Sequence, residues 1–430
     1  MKKLLFFCCT LLLLAACAQK EDNTTKGKEV KEDNKMNEQL VGKWEGNIKT
    51  PNGALPIIVD LQKDSGTLSV PAQGLSNYPF KSIKYDGDQV SVSINLNGSA
   101  VVINGILKDG QIAATFQQNG GKFPLVLKPF KEQPVTYETS KIPVKDGALT
   151  VALQKASKEP SPVALIIAGS GPTDKDGNSA IAGKNDSLKM IAEGLAKDGI
   201  TTVRYDKRGL GDNQSLLTKE EDITIDQYVD DAVQVINTLL ADKAYSSVHI
   251  IGHSEGSLIG LLAAQKTKVE SFVSIAGSGR PADEILLEQL KGQLSPELLK
   301  ESTDALASLK KGELVKNVSP DLQSLFRSSV QPYMISWLKY NPANELAKVN
   351  SRVLILQGTT DLQVVTTDAE ALKKGKPDAK LVYMDGMNHV LKNAPADRTK
   401  NAATYSDPSL PLHKELLPAI QQFIMNGGRD

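Results

Sequence analysis

The segment Val248-His249-Ile250-Ile251-Gly252-His253-Ser254-Glu255-Gly256-Ser257 restricts the fold more than any other part of the chain. A run of apolar and β-branched residues ends at a glycine. A serine follows two positions on, then a second glycine, and Leu258, Ile259, Leu261 and Leu262 open a helix-like pattern at once. The order reads as strand, sharp turn, helix, with Ser254 at the tip. Such a turn strains its central residue, and the flanking glycines remove Cβ atoms that would collide where strand and helix cross. Ser254 would then stand at the C-terminal edge of a sheet, with the positive end of a helix beneath it. The competing reading is a glycine-rich turn whose serine only caps the helix.

The surrounding rhythm supports a sheet. Apolar strand candidates lie at 163–168, 201–205, 248–252, 271–276, 353–357 and 380–384, with helical patterns between most of them, as at 187–197 and 223–240. Near-continuous apolar strands alternating with helices predict a mainly parallel sheet covered on both faces. Ligands in such sheets bind beyond the strand C-termini. Three of those ends carry polar chemistry: Gly169-Ser170-Gly171-Pro172-Thr173-Asp174, Gly358-Thr359-Thr360-Asp361 and Asp385-Gly386-Met387-Asn388-His389. Of the four histidines, His249 sits within a strand and reads as packed. His253 adjoins the serine with its side chain directed away, and His413 opens the last helix and reads as solvated. His389 follows the last strand, where a general base would enter.

About 75 residues separate the strands ending at Ala276 and starting at Arg352, far more than a simple crossover needs. Helical patterns at 281–294, 296–314 and 321–340 fill them. Their apolar residues, Phe326, Tyr333, Met334, Ile335 and Trp337 among them, read chiefly as packing against the body, with lining of an acyl pocket as the alternative.

Leu40 to about Pro129 has a different texture. Period-two segments such as Ile57-Ile58-Val59-Asp60-Leu61 are punctuated by Asn52-Gly53, Asp86-Gly87, Asn97-Gly98, Asp109-Gly110 and Asn119-Gly120. These dipeptides favour the primed turns of antiparallel hairpins. A small antiparallel barrel or curled sheet of about eight strands is predicted, either filled with its own side chains or holding one small ligand. The segment has no His and no Cys, so it reads as a spacer, substrate-presenting or dimerising module in preference to a ligand-binding one. Its opening, Val41-Gly42-Lys43-Trp44-Glu45-Gly46, resembles the first strand of lipocalin-like barrels.

At the N-terminus, Met1-Lys2-Lys3 precedes the apolar run Leu4 to Ala16, too short to span a bilayer as a mature helix but suited to a secretory signal. Leu14-Ala15-Ala16-Cys17 resembles the lipobox of bacterial lipoproteins, which implies a lipidated Cys17 and a membrane partner through that anchor. The chain would then divide into a lipoprotein signal peptide (1–17), a tether (18–37), the β domain (38–130) and a second domain (136–430) whose helical cap spans about 278–350. The tether carries ten charged residues and too little apolar surface to fold. Gln19-Lys20-Glu21-Asp22 resembles the acidic surface-export signals of some two-membraned bacteria, although a charged tether would look the same; the expectation is an exported, lipid-anchored protein of the cell envelope, at the outer membrane, with the membrane face left open. With Cys8 and Cys9 removed and Cys17 lipidated, no thiol remains for disulfides, metal binding or nucleophilic attack. Loss of Lys2 and Lys3 leaves 48 basic and 50 acidic side chains, a balance that argues against nucleic acid as a partner.

Residues 136–430 resemble an α/β-hydrolase, in the carboxylesterase branch close to serine-aminopeptidase-like hydrolases. The matching stretches are 168–178 (AGSGPTDKDGN), 204–211 (RYDKRGLG), 252–256 (GHSEG), 357–364 (QGTTDLQV), 387–392 (MNHVLK) and 405–412 (YSDPSLPL). The expected architecture is therefore an α/β-hydrolase fold with a helical cap, preceded by a small all-β, lipocalin-like domain. The resemblance implies Ser254 as nucleophile, His389 as base, Asp361 as orienting acid, and oxyanion donors from the backbone N–H groups of Glu255 and Ser170. It gives Asp206 and Arg208 a shaping role without chemistry. At the oxyanion loop the chain has Ala168-Gly169 where many relatives carry His-Gly, which leaves the second donor open.

A serine hydroxyl needs a base to take its proton, His titrates where that transfer is efficient, and a carboxylate fixes the imidazole tautomer. Such a set cleaves esters through an acyl-enzyme and calls for no metal or organic cofactor. The expected function is a serine esterase for small, short-chain acyl esters. The alternatives are a serine aminopeptidase or amidase, and a surface ligand-binding lipoprotein with a non-catalytic hydrolase body.

Overall fold

The structure, a computed structural model, describes residues 36–50, 53–70, 75–96, 99–131, 135–179 and 183–427. Cys17, the tether residues before Met36 and the turn residues Asn52, Asn97 and Gly98 lie outside them. The chain falls into two compact units that divide between Pro134 and Val135.

The first unit is one nine-stranded antiparallel sheet. Its strands are β1 (Gly42–Thr50), β2 (Gly53–Leu61), β3 (Gly66–Val70), β4 (Leu75–Pro79), β5 (Ser82–Asp86), β6 (Gln89–Leu96), β7 (Ser99–Lys108), β8 (Gln111–Gln118) and β9 (Gly121–Pro129). They are ordered β4-β3-β2-β1-β9-β8-β7-β6-β5. The terminal strands β4 and β5 are separated in the chain by Phe80 and Lys81 alone, so the sheet curls until its two ends meet. Phe80 N donates to Gly66 O on one side of that seam and Lys81 N to Ser93 O on the other. Alternation sends Trp44, Leu68, Val92, Ile103, Ile112 and Leu127 into a packed interior, as a pleated strand with one dry face requires.

The turns show what sets register. Asp109-Gly110 (φ +51° and +70°) and Asn119-Gly120 (φ +49° and +79°) form tight two-residue turns with both residues left-handed, as expected for this hairpin type. At Asp86-Gly87 the turn is shifted by one: Asp86 pairs with Gln89, so Gly87 and Asp88 are its centre. That register pairs Tyr85 with Val90, both buried, and a one-residue slip would turn an apolar side chain outward.

The second unit holds an eight-stranded sheet of order β10-β11-β13-β12-β14-β15-β16-β17. Its strands are β10 (Glu138–Val144), β11 (Gly147–Gln154), β12 (Ser161–Ile167), β13 (Thr201–Tyr205), β14 (Tyr245–His253), β15 (Ser271–Ile275), β16 (Arg352–Gly358) and β17 (Lys380–Met384). β11 runs antiparallel to both neighbours, and from β13 through β17 every pairing is parallel. Helices cover both faces: α1 (Ser187–Lys197), α2 (Ile225–Ala241), α3 (Glu255–Lys266), α4 (Ala282–Leu290), α5 (Pro296–Lys310), α6 (Gln323–Phe326), α7 (Gln331–Leu338), α8 (Pro342–Leu346), α9 (Thr366–Gly375), α10 (Arg398–Ala403) and α11 (Leu416–Met425). In β12, Val163, Leu165 and Ile167 enter the core beneath α2 and α3, while Ala164, Ile166 and Ala168 enter the one beneath α1 and α11. This is why the run from Val163 to Ala168, the last of these just past the strand, is apolar at every position.

Helices α4 to α8 occupy the segment between β15 and β16. The helix expected over 321–340 is instead broken into α6 and α7. Pro332 has no N–H and fits only the first turn of a helix, and it lies at the start of α7. Gln331, the first residue of α7, spans the break, its amide donating to Val315 O and Phe326 O and its carbonyl accepting from Val315 N. Phe326, Tyr333 and Met334 join the core beneath α2 and α3, so packing is their first role.

Candidate active site

Parallel register builds the site. Ile167 is aligned with Gly252, so the loops leaving β12 and β14 start side by side, with Gly169 and Ser254 each two residues further on. A Cβ placed on Gly169 would lie 3.1 Å from that of Ser254. Ser254 has φ +55° and ψ −122°, the strained conformation the motif predicts. Added Cβ atoms on Gly252 and Gly256 would fall 2.3 Å from Gly256 O and 2.2 Å from Ile167 O respectively. Only glycine allows α3 to start this close to the sheet.

The three side chains from separate strand ends converge. His389 Nε2 lies 3.2 Å from Ser254 Oγ, and His389 Nδ1 lies 2.8 Å from Asp361 Oδ2. The other oxygen of Asp361 accepts from the backbone N–H groups of Gln363 (2.8 Å) and Val364 (3.0 Å). A carboxylate so placed only accepts, so Nδ1 carries the imidazole proton and Nε2 is left bare toward the serine. His389 and Asp361 are both buried.

Neighbouring residues hold His389 in place. Thr360 N donates to Met387 O at 3.1 Å. Asn401 Nδ2 donates to Thr360 O (2.8 Å), and Asn388 Nδ2 to Asn401 Oδ1 (3.0 Å), which ties the acid loop to the histidine loop. His253, expected to point away from the site, instead bonds through Nε2 to the backbone oxygen of His389 at 2.8 Å, with the two rings 5.0 Å apart. A carbonyl can only accept, so Nε2 of His253 is protonated. Burial first, and the adjacent His389 second, push its pKa down to about 4, so it is a neutral strut.

His249 is packed as expected, with ring nitrogens 2.8 Å from the hydroxyls of Ser247 and Ser271. His413 is buried, its Nε2 3.0 Å from Asp385 O. The expectation of a solvated ring fails because the chain before α11 folds back over the end of β17. Arg208 makes two hydrogen bonds of 2.7 Å to Asp231, and Asp206 accepts from Lys175 N and Nζ, so both shape loops, as expected.

Lys207, between them, is the residue that sequence reasoning missed. It is buried, with Nζ 2.6 Å from Gly169 O and 2.9 Å from Glu255 Oε1. Tyr333 of α7 donates to the other oxygen of Glu255. In sequence, the stretch 204–211 gave a shaping role to Asp206 and Arg208 and none to Lys207, whose partners lie at Gly169 and Glu255, far off in the chain. A pocket opens here, lined by Gly171, Lys207, Glu220, Ile223, Tyr228, Glu255, Val330 and Tyr333.

A strained serine at a strand–helix turn, an imidazole and a carboxylate on one rim of a mainly parallel sheet define a serine hydrolase with the α/β-hydrolase fold. Residues 183–395 match the family model described as serine aminopeptidase, S33. The chain is 26% identical to Esterase EstD of Thermotoga maritima over 318 residues, which is 72% of this chain and 71% of that protein. Probable aminopeptidase YbaC of Bacillus subtilis is 35% identical over 66 residues, covering 15% of this chain and 21% of its own. Among solved structures, Est1E from Butyrivibrio proteoclasticus aligns with a TM-score of 0.44 at 17% identity, covering 67% of this chain and 98% of that one.

Proposed function

We propose that the protein is a carboxylic ester hydrolase that works through an acyl-enzyme on Ser254. The observation that carries this reading is the unbroken relay from Ser254 Oγ through His389 to Asp361. His389 Nε2 takes the hydroxyl proton as Oγ attacks the ester carbonyl carbon. The tetrahedral oxyanion is held by the N–H groups of Glu255 and Ser170. Collapse expels the alcohol, which leaves with the proton from Nε2. Water, deprotonated by the same nitrogen, then releases the acid and restores the serine.

Charge pairing around the pocket supports small, uncharged acyl groups. Lys207 is matched by Glu255, and Glu220 by Arg327. Ile223, Val330 and the tyrosine rings supply the remaining wall. The similarity to Esterase EstD supports ester cleavage. The family description and the YbaC match favour a second reading, cleavage of aminoacyl amides.

Labelling with a fluorophosphonate, and turnover of p-nitrophenyl esters of increasing acyl length beside aminoacyl p-nitroanilides, test both. Wild type should label and turn over short esters fastest. Ser254→Ala should not label and should lose on the order of 10⁴ to 10⁶ in kcat. Absence of labelling in folded wild type would remove the catalytic reading, and faster amide turnover would reverse the order of the two substrates.

Cys17 is proposed as the lipid anchor of an exported cell-envelope protein, on the support of Lys2-Lys3 and the run Leu4 to Ala16. Incorporation of an alkynyl fatty acid in a bacterial host should disappear in Cys17→Ser.

A further inference from the structure

We propose that Lys207 is a positioning residue of the oxyanion hole, acting through the peptide between Gly169 and Ser170. The proposal rests on the serine hydrolase reading of Ser254. The N–H assigned as second donor belongs to Ser170, and the C=O of the same peptide belongs to Gly169. In a trans peptide these groups point in opposite directions, so whatever holds the carbonyl aims the N–H. Lys207 Nζ holds that carbonyl at 2.6 Å.

The peptide needs such an anchor. Glycine leaves its backbone dihedrals free, and ordering them costs conformational entropy. The Gly169 backbone also lies against the serine it must serve. An ammonium on the carbonyl oxygen further polarises the peptide and strengthens its N–H as a donor, and the buried setting magnifies this.

Lys207 is itself fixed from two sides. Glu255 Oε1 receives it at 2.9 Å, and the Tyr228 ring lies 5.0 Å from its nitrogen. Glu255 therefore serves both halves of the hole: its N–H is the first donor, and its carboxylate grips the lysine that aims the second. Tyr333 of α7 donates to the other carboxylate oxygen, which couples the helical segment to this arrangement.

The test compares wild type, Lys207→Met and Lys207→Met/Glu255→Gln on a p-nitrophenyl ester. Active sites are counted by fluorophosphonate labelling taken to completion, so that unfolded molecules do not enter the rates. The single variant strands a buried carboxylate, whereas the double variant removes both charges and retains the Glu255-position N–H. Removing an oxyanion donor outright costs 10²–10³ in kcat, and loss of aim alone should cost about 10–10² with KM changed by less than about threefold. Inhibition by a trifluoromethyl ketone, which forms a tetrahedral oxyanion on the serine, should weaken by the same factor, and inhibition by the product carboxylate should not. Both effects should persist in the double variant whatever its melting temperature. A double variant with wild-type kcat, or with equal losses toward ketone and carboxylate, would show the pair to be structural and overturn the proposal. Wild type that neither labels nor turns over ester would instead remove the underlying reading, and this one with it.

Discussion

Gly256 occupies a position where one methyl group would meet the carbonyl oxygen of Ile167 at 2.2 Å. The obstacle is backbone on both sides, so no side chain can rotate away to relieve it. Gly256→Ala should cost about 1–3 kcal/mol and displace Ser254 from His389. Thermal melting together with ester turnover would show both losses; an alanine variant with wild-type kcat would mean that the turn tolerates more separation than its geometry implies. The convergence of Ser254, Asp361 and His389 was legible in the sequence because each lies in the loop after an apolar strand, where parallel topology collects side chains. Lys207, His253 and Asn401 were not. Their partners lie at Gly169, His389 and Thr360, and no local pattern announces contacts made by neighbouring strand ends.

Among the elements, the helices between β15 and β16 show the limit of periodicity most clearly. Apolar spacing over 321–340 suggested one helix, yet Pro332 divides it, and the intervening turn carries Arg327. That side chain donates through both Nε and Nη2 to the buried Glu220, which also accepts from Ser329. Removing one member of a buried pair leaves the other uncompensated, at a cost of about 3–5 kcal/mol. Arg327→Ala should therefore lower the melting temperature markedly, and Arg327→Ala/Glu220→Gln should recover much of the loss. If the second substitution gives no recovery, the clasp is not the source of the stability. Helix α1, by contrast, occupies the predicted 187–197, because its apolar stripe meets one flat sheet face and no proline interrupts it.

For the whole molecule, acid is the condition to which the fold should respond. Burial, with Arg352 as a smaller cause, pushes the His249 imidazole down to about 4, and His253 is pushed down to about 4 as well. In the unfolded chain both take up a proton near pH 6.5, while in the native protein they resist until about pH 4. The unfolded state therefore binds more protons across that window, and stability falls as pH is lowered through it. Melting temperature should decline between pH 6.5 and 4, and His249→Gln should flatten the decline even if it melts lower at neutral pH. An unchanged slope in that variant would assign the acid sensitivity elsewhere.

At this scale the sequence announced two different sheets through their turn chemistry and strand rhythm. It did not announce how the first one closes, because Phe80 and Lys81 look like an ordinary link. That link has a consequence for crowding. An open sheet presents a row of unsatisfied amides to which a second chain can add a strand. Here the two outermost strands are five residues each and are drawn together at one seam, where Phe80 N, Lys81 N and the Tyr78 hydroxyl already have partners. Each free edge is therefore only one short strand long, which limits the main chain to which a second copy could add a strand.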